Sequence, residues 1–204
     1  LQGFMLERLR RFLLGLGKEA VIWNDGLAST TGTDFICELW TPPAMESARR
    51  TAAHLNAGGR AIISGFRHLY FDYPYALTPL KKSYEYDMVP KGVGREAEAR
   101  ILGGECCLWT EWIEDEEKLF FSLLPRLAAA AELFWSADDV RDYAHFTARL
   151  PAQYRLYEEL ALPWAKGMEH APGPLSRLRA VQTFFQRDAY VEVNRAKVAS
   201  RRRK

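Results

Sequence analysis

Hydrophobic and polar positions follow two periods along this chain, one helical and one extended, and the switches between them mark its elements. Leu6, Leu9, Leu13 and Leu16 share one helical stripe, and Gly15 and Gly17 supply its stop. A short apolar run comes next, Ala20-Val21-Ile22-Trp23, closed by the turn-forming Asn24-Asp25-Gly26. A second run, Phe35-Ile36-Cys37-Glu38-Leu39-Trp40, stops at Pro42-Pro43. The spacing then predicts a helix from Ala44 to Asn56, ended by Gly58-Gly59. Ala61-Ile62-Ile63-Ser64 reads as a third strand, and Ile101 to Trp109 contains a fourth. Helices take over afterwards, Phe120 to Trp135 and then Asp138 to about Leu150, the latter behind a Ser136-x-x-Asp139 capping signal.

Strands alternating with helices predict an α/β fold, a parallel sheet covered by helices. Four strands alone would leave raw edges, so half of a closed barrel accounts for the pattern better than a finished open sheet. Such a half barrel is expected to expose its inner face, with Ile63, Leu108 and the strand-end tryptophans on it. From Phe66 to Arg100 the pattern is irregular. A connection that long is usually functional or disordered, and its aromatics (Tyr70, Phe71, Tyr73, Tyr75, Tyr84, Tyr86) favour a functional one. The chain opens at Leu1, already inside an amphipathic helix, so its true start is expected upstream and the compartment stays open.

With 204 residues, 48% apolar and 26% charged, the chain suits one globular domain with a substantial core. No apolar run is long enough to span a bilayer, so no membrane partner is expected. The net charge of +2 hides an asymmetry: residues 171–204 hold nine Lys/Arg against Asp188 and Glu192, leaving the rest acidic. The closing Arg201-Arg202-Arg203-Lys204 reads as a solvated, disordered terminus, with contact to nucleic acid the lesser alternative. Leu175, Leu178, Val181 and Phe185 have helical spacing that would let one helix pack back on the body. Residues 1–164 are therefore expected to form the barrel part and 165–204 a helical, basic extension.

Several chemistries find no support. Cys37, Cys106 and Cys107 form no CxxC pair and suit small buried hydrophobes better than a disulfide framework or zinc site. His54, His68, His145 and His170 lack metal-ligand spacing, so neither a metal nor a cofactor is expected. There is no Gly-x-Ser-x-Gly elbow and no phosphate loop. Glu114-Asp115-Glu116-Glu117 precedes a helix, where negative charge favours the helix dipole over an acid/base role. What remains is a set of aromatic and acidic residues at strand ends. Trp23 and Trp40 each close a strand, and the pairs Tyr70/Asp72 and Trp109/Glu111 are two apart, so each pair shares a face in extended backbone. In a β/α barrel these are active-site positions. A pyranose suits such a set: its C–H face packs on an aromatic ring and its hydroxyls donate to carboxylates. Singly, each Trp is more often a core residue than a site residue. Together the six point to a sugar site.

The segments carrying these residues are Val21-Ile22-Trp23-Asn24-Asp25, Tyr70-Phe71-Asp72, Gly103-Gly104-Glu105-Cys106-Cys107-Leu108-Trp109-Thr110-Glu111, and Pro125-Arg126-Leu127-Ala128-Ala129-Ala130-Ala131-Glu132 with Trp135-Ser136. In that order they resemble the β-N-acetylhexosaminidases of glycoside hydrolase family 20 over roughly residues 1–160. The resemblance implies the last four strands of a (β/α)₈ barrel and a retaining mechanism in which the substrate's acetamido oxygen attacks the anomeric carbon. It further implies that Trp23, Trp40 and Trp109 wall the acetamido pocket, with Trp109 stacked on the sugar face. Tyr70 would bond the acetamido oxygen, and Asp72 and Glu111 would hold the hydroxyls at C4 and C6. The partners implied are terminal N-acetylhexosamine glycans and either the other half barrel or a second copy of this chain.

The family's His-x-Gly-Gly-Asp-Glu motif, source of the general acid/base, does not occur in these residues. It belongs at the end of the strand before Leu1, so the chain alone is expected not to turn over substrate. Two other readings stay open, a non-catalytic sugar-binding barrel and an unrelated barrel hydrolase with similar strand-end aromatics.

Overall fold

The structure, a computed structural model, describes residues 1–28, 31–167, 172–184 and 186. Four strands, β1 (Val21–Trp23), β2 (Ile36–Leu39), β3 (Arg60–Ile63) and β4 (Ile101–Gly104), form one parallel sheet in chain order. Helix α1 (Gln2–Gly15) precedes β1, and α2 (Glu46–Asn56) crosses from β2 to β3. Short α3 (Leu80–Tyr84) and α4 (Arg95–Glu98) lie between β3 and β4. Then follow α5 (Glu116–Leu123), α6 (Arg126–Trp135) and α7 (Tyr143–Glu159), with a further helical stretch over 174–184.

The glycine stops work as expected. Gly17 and Gly58 adopt positive φ, 67° and 101°, and Lys18 and Gly59 donate back to the Leu13 and His54 carbonyls at 2.9 Å each. Those are the bonds of a Schellman cap, which satisfy carbonyls the helix cannot. The acidic run does begin a helix: the Asp115 carboxylate accepts from the Lys118 amide at 2.7 Å and caps α5.

Three helix expectations are corrected. The helix before β3 starts at Glu46, two residues late, because Pro42-Pro43 holds the chain extended or in a turn. The stretch from Phe120 to Trp135 is two helices, since Pro125 has no amide to continue the first. The carbonyl of Leu124 instead accepts from the Tyr75 hydroxyl at 2.7 Å and the Ala165 amide at 3.1 Å. The Ser136-x-x-Asp139 signal yields only a single 3₁₀ turn; Asp142 is the true cap, and α7 runs through Pro151 to Glu159.

The core lies between sheet and helices. Cys37, Leu39, Ala61 and Ile63 pack against Ala48 and Leu55 of α2. Ile63 is therefore on the helix side and fully buried, not on the open inner face. On the other face of the strands lie Val21, Trp23, Glu38 and Ile62, of which Val21 is half exposed and Glu38 buried. Glu38 accepts from the Ser64 hydroxyl at 2.6 Å. Burial and the nearby Glu105 raise its pKa, so this inner face favours the neutral acid.

The strand from Ile101 does not run unbroken to Trp109. Leu102 is an extra residue against β3, Gly103 takes φ 146°, and this bulge turns Leu102 outward. A side chain at Gly104 would collide with Phe134 of α6 and the Ile63 carbonyl, so glycine is what lets helix and strand meet. Beyond the bulge the chain changes partner: Cys107 pairs in parallel with Tyr70, the Cys107 amide donating to Leu69 and the Phe71 amide to Cys107, both at 2.8 Å. The irregular stretch Phe66 to Arg100 thus contributes to the core through its first half. Leu69, Phe71, Leu80 and Tyr84 in it are buried against α6 and α7.

The helical stretch over 174–184 does not use its leucines to reach the body. Leu175 and Leu178 are exposed, not packed, and Phe185 and the basic cluster lie outside the described residues.

Candidate functional site

At the C-terminal ends of the strands a cleft of about 400 Å³ opens, in the size range of small-molecule sites. All six residues singled out in the sequence line it: Trp23, Trp40, Tyr70, Asp72, Trp109 and Glu111. They arrive on four separate segments. Trp23 ends β1, and Trp40 follows β2 directly. Tyr70 and Trp109 come from the paired extended segments beyond β3 and β4.

Asn24, wholly buried, fixes the relation of the first two. Its Nδ2 donates to Thr41 Oγ1 at 2.6 Å, and its Oδ1 accepts from the Trp40 and Thr41 amides at 3.3 and 3.4 Å. The turn after β1 is thereby stitched to the end of β2. Trp40 Nε1 then donates to Asp25 Oδ1 at 3.3 Å, which sets the indole's direction.

The aromatic wall is continuous. Trp23 and Trp109 have centroids 6.0 Å apart, tilted by 49°. Phe66 meets Trp40, Tyr70 and Tyr73 edge-on at 6.4, 5.5 and 5.3 Å. Edge-to-face contact leaves ring faces free to take the C–H face of a ligand. Burial pushes the Tyr70 phenol well above its usual range, so it stays a neutral hydroxyl that can donate.

Asp72 is the one buried carboxylate among the residues that line the cleft. It is 4% exposed, yet its Oδ1 has no hydrogen-bond partner among the described residues. Burial pushes its carboxyl up to about 6, opposed by backbone amides and Arg126 and reinforced by Glu111. A buried acceptor without a donor costs stability, and a ligand hydroxyl would supply the donor. Glu111, by contrast, is exposed.

Asp25, Phe66, Tyr73 and Trp112 also line the cleft and were not singled out. Three of them are sequence neighbours of residues that were: Asp25 lies two from Trp23, and Tyr73 and Trp112 directly follow Asp72 and Glu111. Phe66 carried no signal beyond its place just past β3. Among the described residues no group of His, Cys, Asp or Glu is arranged to hold a metal ion.

Comparison with known proteins identifies the family and the fold. The family description "Glycosyl hydrolase family 20, catalytic domain" matches residues 1–138. A β-N-acetylhexosaminidase of Cellulomonas fimi is 28% identical over 78% of this chain and 34% of its own length. Among solved structures, the family 20 β-N-acetylhexosaminidase of Streptomyces coelicolor A3(2) superposes with a TM-score of 0.72 at 24% identity, over 80% of this chain and 36% of that one. The Flavobacterium johnsoniae chitobiase gives 0.66 at 31% identity, over 79% and 24%. The chain thus spans between about a quarter and about a third of these relatives' length. Its α/β sheet corresponds to part of their (β/α)₈ barrel, followed by a helical extension. By its matched motifs and its fold, this chain belongs to glycosyl hydrolase family 20 and carries part of that family's catalytic domain.

Proposed function

We propose that this chain forms the sugar-gripping side of an exo-acting β-N-acetylhexosaminidase that removes terminal β-linked N-acetylglucosamine or N-acetylgalactosamine. The observation that carries the reading is the buried Asp72 Oδ1, unpartnered in a cleft walled by Trp23, Trp40 and Trp109. In this reading the tryptophans enclose the acetamido group and Trp109 supports the sugar face. Tyr70 donates to the acetamido oxygen and holds it towards the anomeric carbon. That oxygen is the nucleophile of a retaining, substrate-assisted displacement through an oxazolinium ion. Asp72 and Glu111 accept from the hydroxyls at C4 and C6. The proton for the leaving group comes from an acid outside this sequence, in the family's Asp-Glu pair.

The full-length protein carrying this chain is expected to hydrolyse an aryl N-acetyl-β-glucosaminide and to leave the matching plain β-glucoside almost untouched. Equal rates on the two would remove the acetamido pocket. Sugar binding without hydrolysis, from an upstream half lacking the Asp-Glu pair, would make the protein a carbohydrate-binding barrel instead.

The remaining half of the barrel is the natural partner of this one. No residue of α1 is buried, and Phe4, Leu9 and Phe12 are more than half exposed. An apolar face of that kind is not expected on a soluble monomer. The isolated chain is therefore expected to self-associate, or to bind a separately supplied upstream half, by light scattering at micromolar concentration. A monodisperse, cooperatively melting monomer would overturn this.

A further inference from the structure

The helical stretch over 174–184 lies beyond the family match, yet it returns to the cleft. Arg177 Nε donates to the Ala76 carbonyl at 2.7 Å. Phe184 sets its ring 5.3 Å from Tyr73 and 4.8 Å from Trp112, tilted by 45° and 53°. Both partners line the cleft, and each directly follows one of the two carboxylates assigned to sugar hydroxyls. We propose that Phe184 is a specificity-determining residue, which closes the cleft behind C4 and C6 of the bound sugar and so admits only a chain-terminal one. The inference rests on the sugar-clamp reading of Asp72 and Glu111.

The ring spacing decides between a wall and a platform. A pyranose held between two rings needs carbon contacts of about 3.5–4 Å on each face, hence roughly 7–8 Å from ring to ring. At 4.8 and 5.3 Å the rings touch each other, and no sugar passes between them. Phe184 therefore joins Tyr73 and Trp112 into one apolar barrier. A sugar substituted at O4 would have to drive its next unit through that barrier. The helix's own leucines do not explain why it lies here, because Leu175 and Leu178 face solvent. The contacts that do tie it down include the Arg177 hydrogen bond and the Phe184 rings.

The test uses the full-length protein and an aryl β-glycoside of the β-1,4-linked N-acetylglucosamine disaccharide. With the wall intact, the first product is free N-acetylglucosamine, and the aryl group appears only after a lag. In Phe184→Ala the first product is expected to shift towards the intact disaccharide, with the aryl group released directly. Phe184→Trp should keep the original order. Inhibition by free N-acetylglucosamine should be the same in all three, which shows that the terminal-sugar pocket is still folded. Direct release of disaccharide by the unmodified protein would overturn the proposal, as would an unchanged product order in Phe184→Ala. Inactivity of the unmodified protein on the aryl monosaccharide glycoside would instead overturn the hexosaminidase reading, and the wall with it.

Discussion

Replacing Arg126 with Ala is expected to remove most of the folding stability, although this residue does not line the cleft. Its side chain is fully buried at the start of α6. It donates to the Tyr73 carbonyl at 2.8 Å and the Thr78 carbonyl at 3.2 Å, and also to the carbonyls of Ser122 and Phe71. The guanidinium lies 4.1 Å from the Tyr75 ring centre and 4.8 Å from that of Phe71. Burial brings its pKa down to about 10, which still leaves it charged at neutral pH. One planar donor thus ties the segment from Phe71 to Thr78, which carries Asp72, to helices α5 and α6. Truncation would strand several buried carbonyls and open a cavity, and each stranded group costs about 1–3 kcal/mol. The sum rivals the roughly 5–15 kcal/mol of a whole domain. Arg126→Lys should fare better but not well, since an ammonium keeps the charge and loses the fork. Thermal melting of the full-length variants checks this. A Tm within a degree or two of the original for Arg126→Ala would show that the carbonyls find other donors.

Asp72→Ala should leave the fold standing and lower kcat/KM in the full-length protein by about 10²–10³-fold, the worth of a charge-assisted bond in a water-poor site. Glu111→Ala should cost less, because Glu111 is exposed where Asp72 is buried. The pH dependence has a definite sign. The Asp72 carboxyl is raised to about 6, so below that pH the free protein holds it neutral and the charged acceptor is lost. kcat/KM should therefore fall as pH drops through about 6, and Asp72→Asn should lose that limb of the profile. Stability without ligand runs the other way. A carboxyl raised from its ordinary 3.8 binds its proton more tightly folded than unfolded, so its contribution is lost as pH rises from about 4 through 6. A kcat/KM profile that is flat between pH 5 and 7 would show that Asp72 does not accept from the substrate.

The parallel α/β class, the strands near Val21, Ile36, Ala61 and Ile101, and six of the ten residues that line the cleft were legible in the chain's own pattern. These follow from local causes. Buried parallel strands must be apolar runs, glycine pairs end helices, and a site at strand ends must place its aromatics and carboxylates there. The rest came from packing between segments far apart in the chain. The segment from Phe66 to Arg100 looked irregular because its short extended and helical pieces are held by α6, α7 and Arg126, not by a repeat of their own. The bulge at Leu102 was invisible because it depends on a register against β3. The buried state of Asp72, the donor fork of Arg126 and the approach of Phe184 to Trp112 all join residues far apart in the chain. Periodicity reports which face of an element is apolar. It does not report which distant element will cover that face, because that choice belongs to packing.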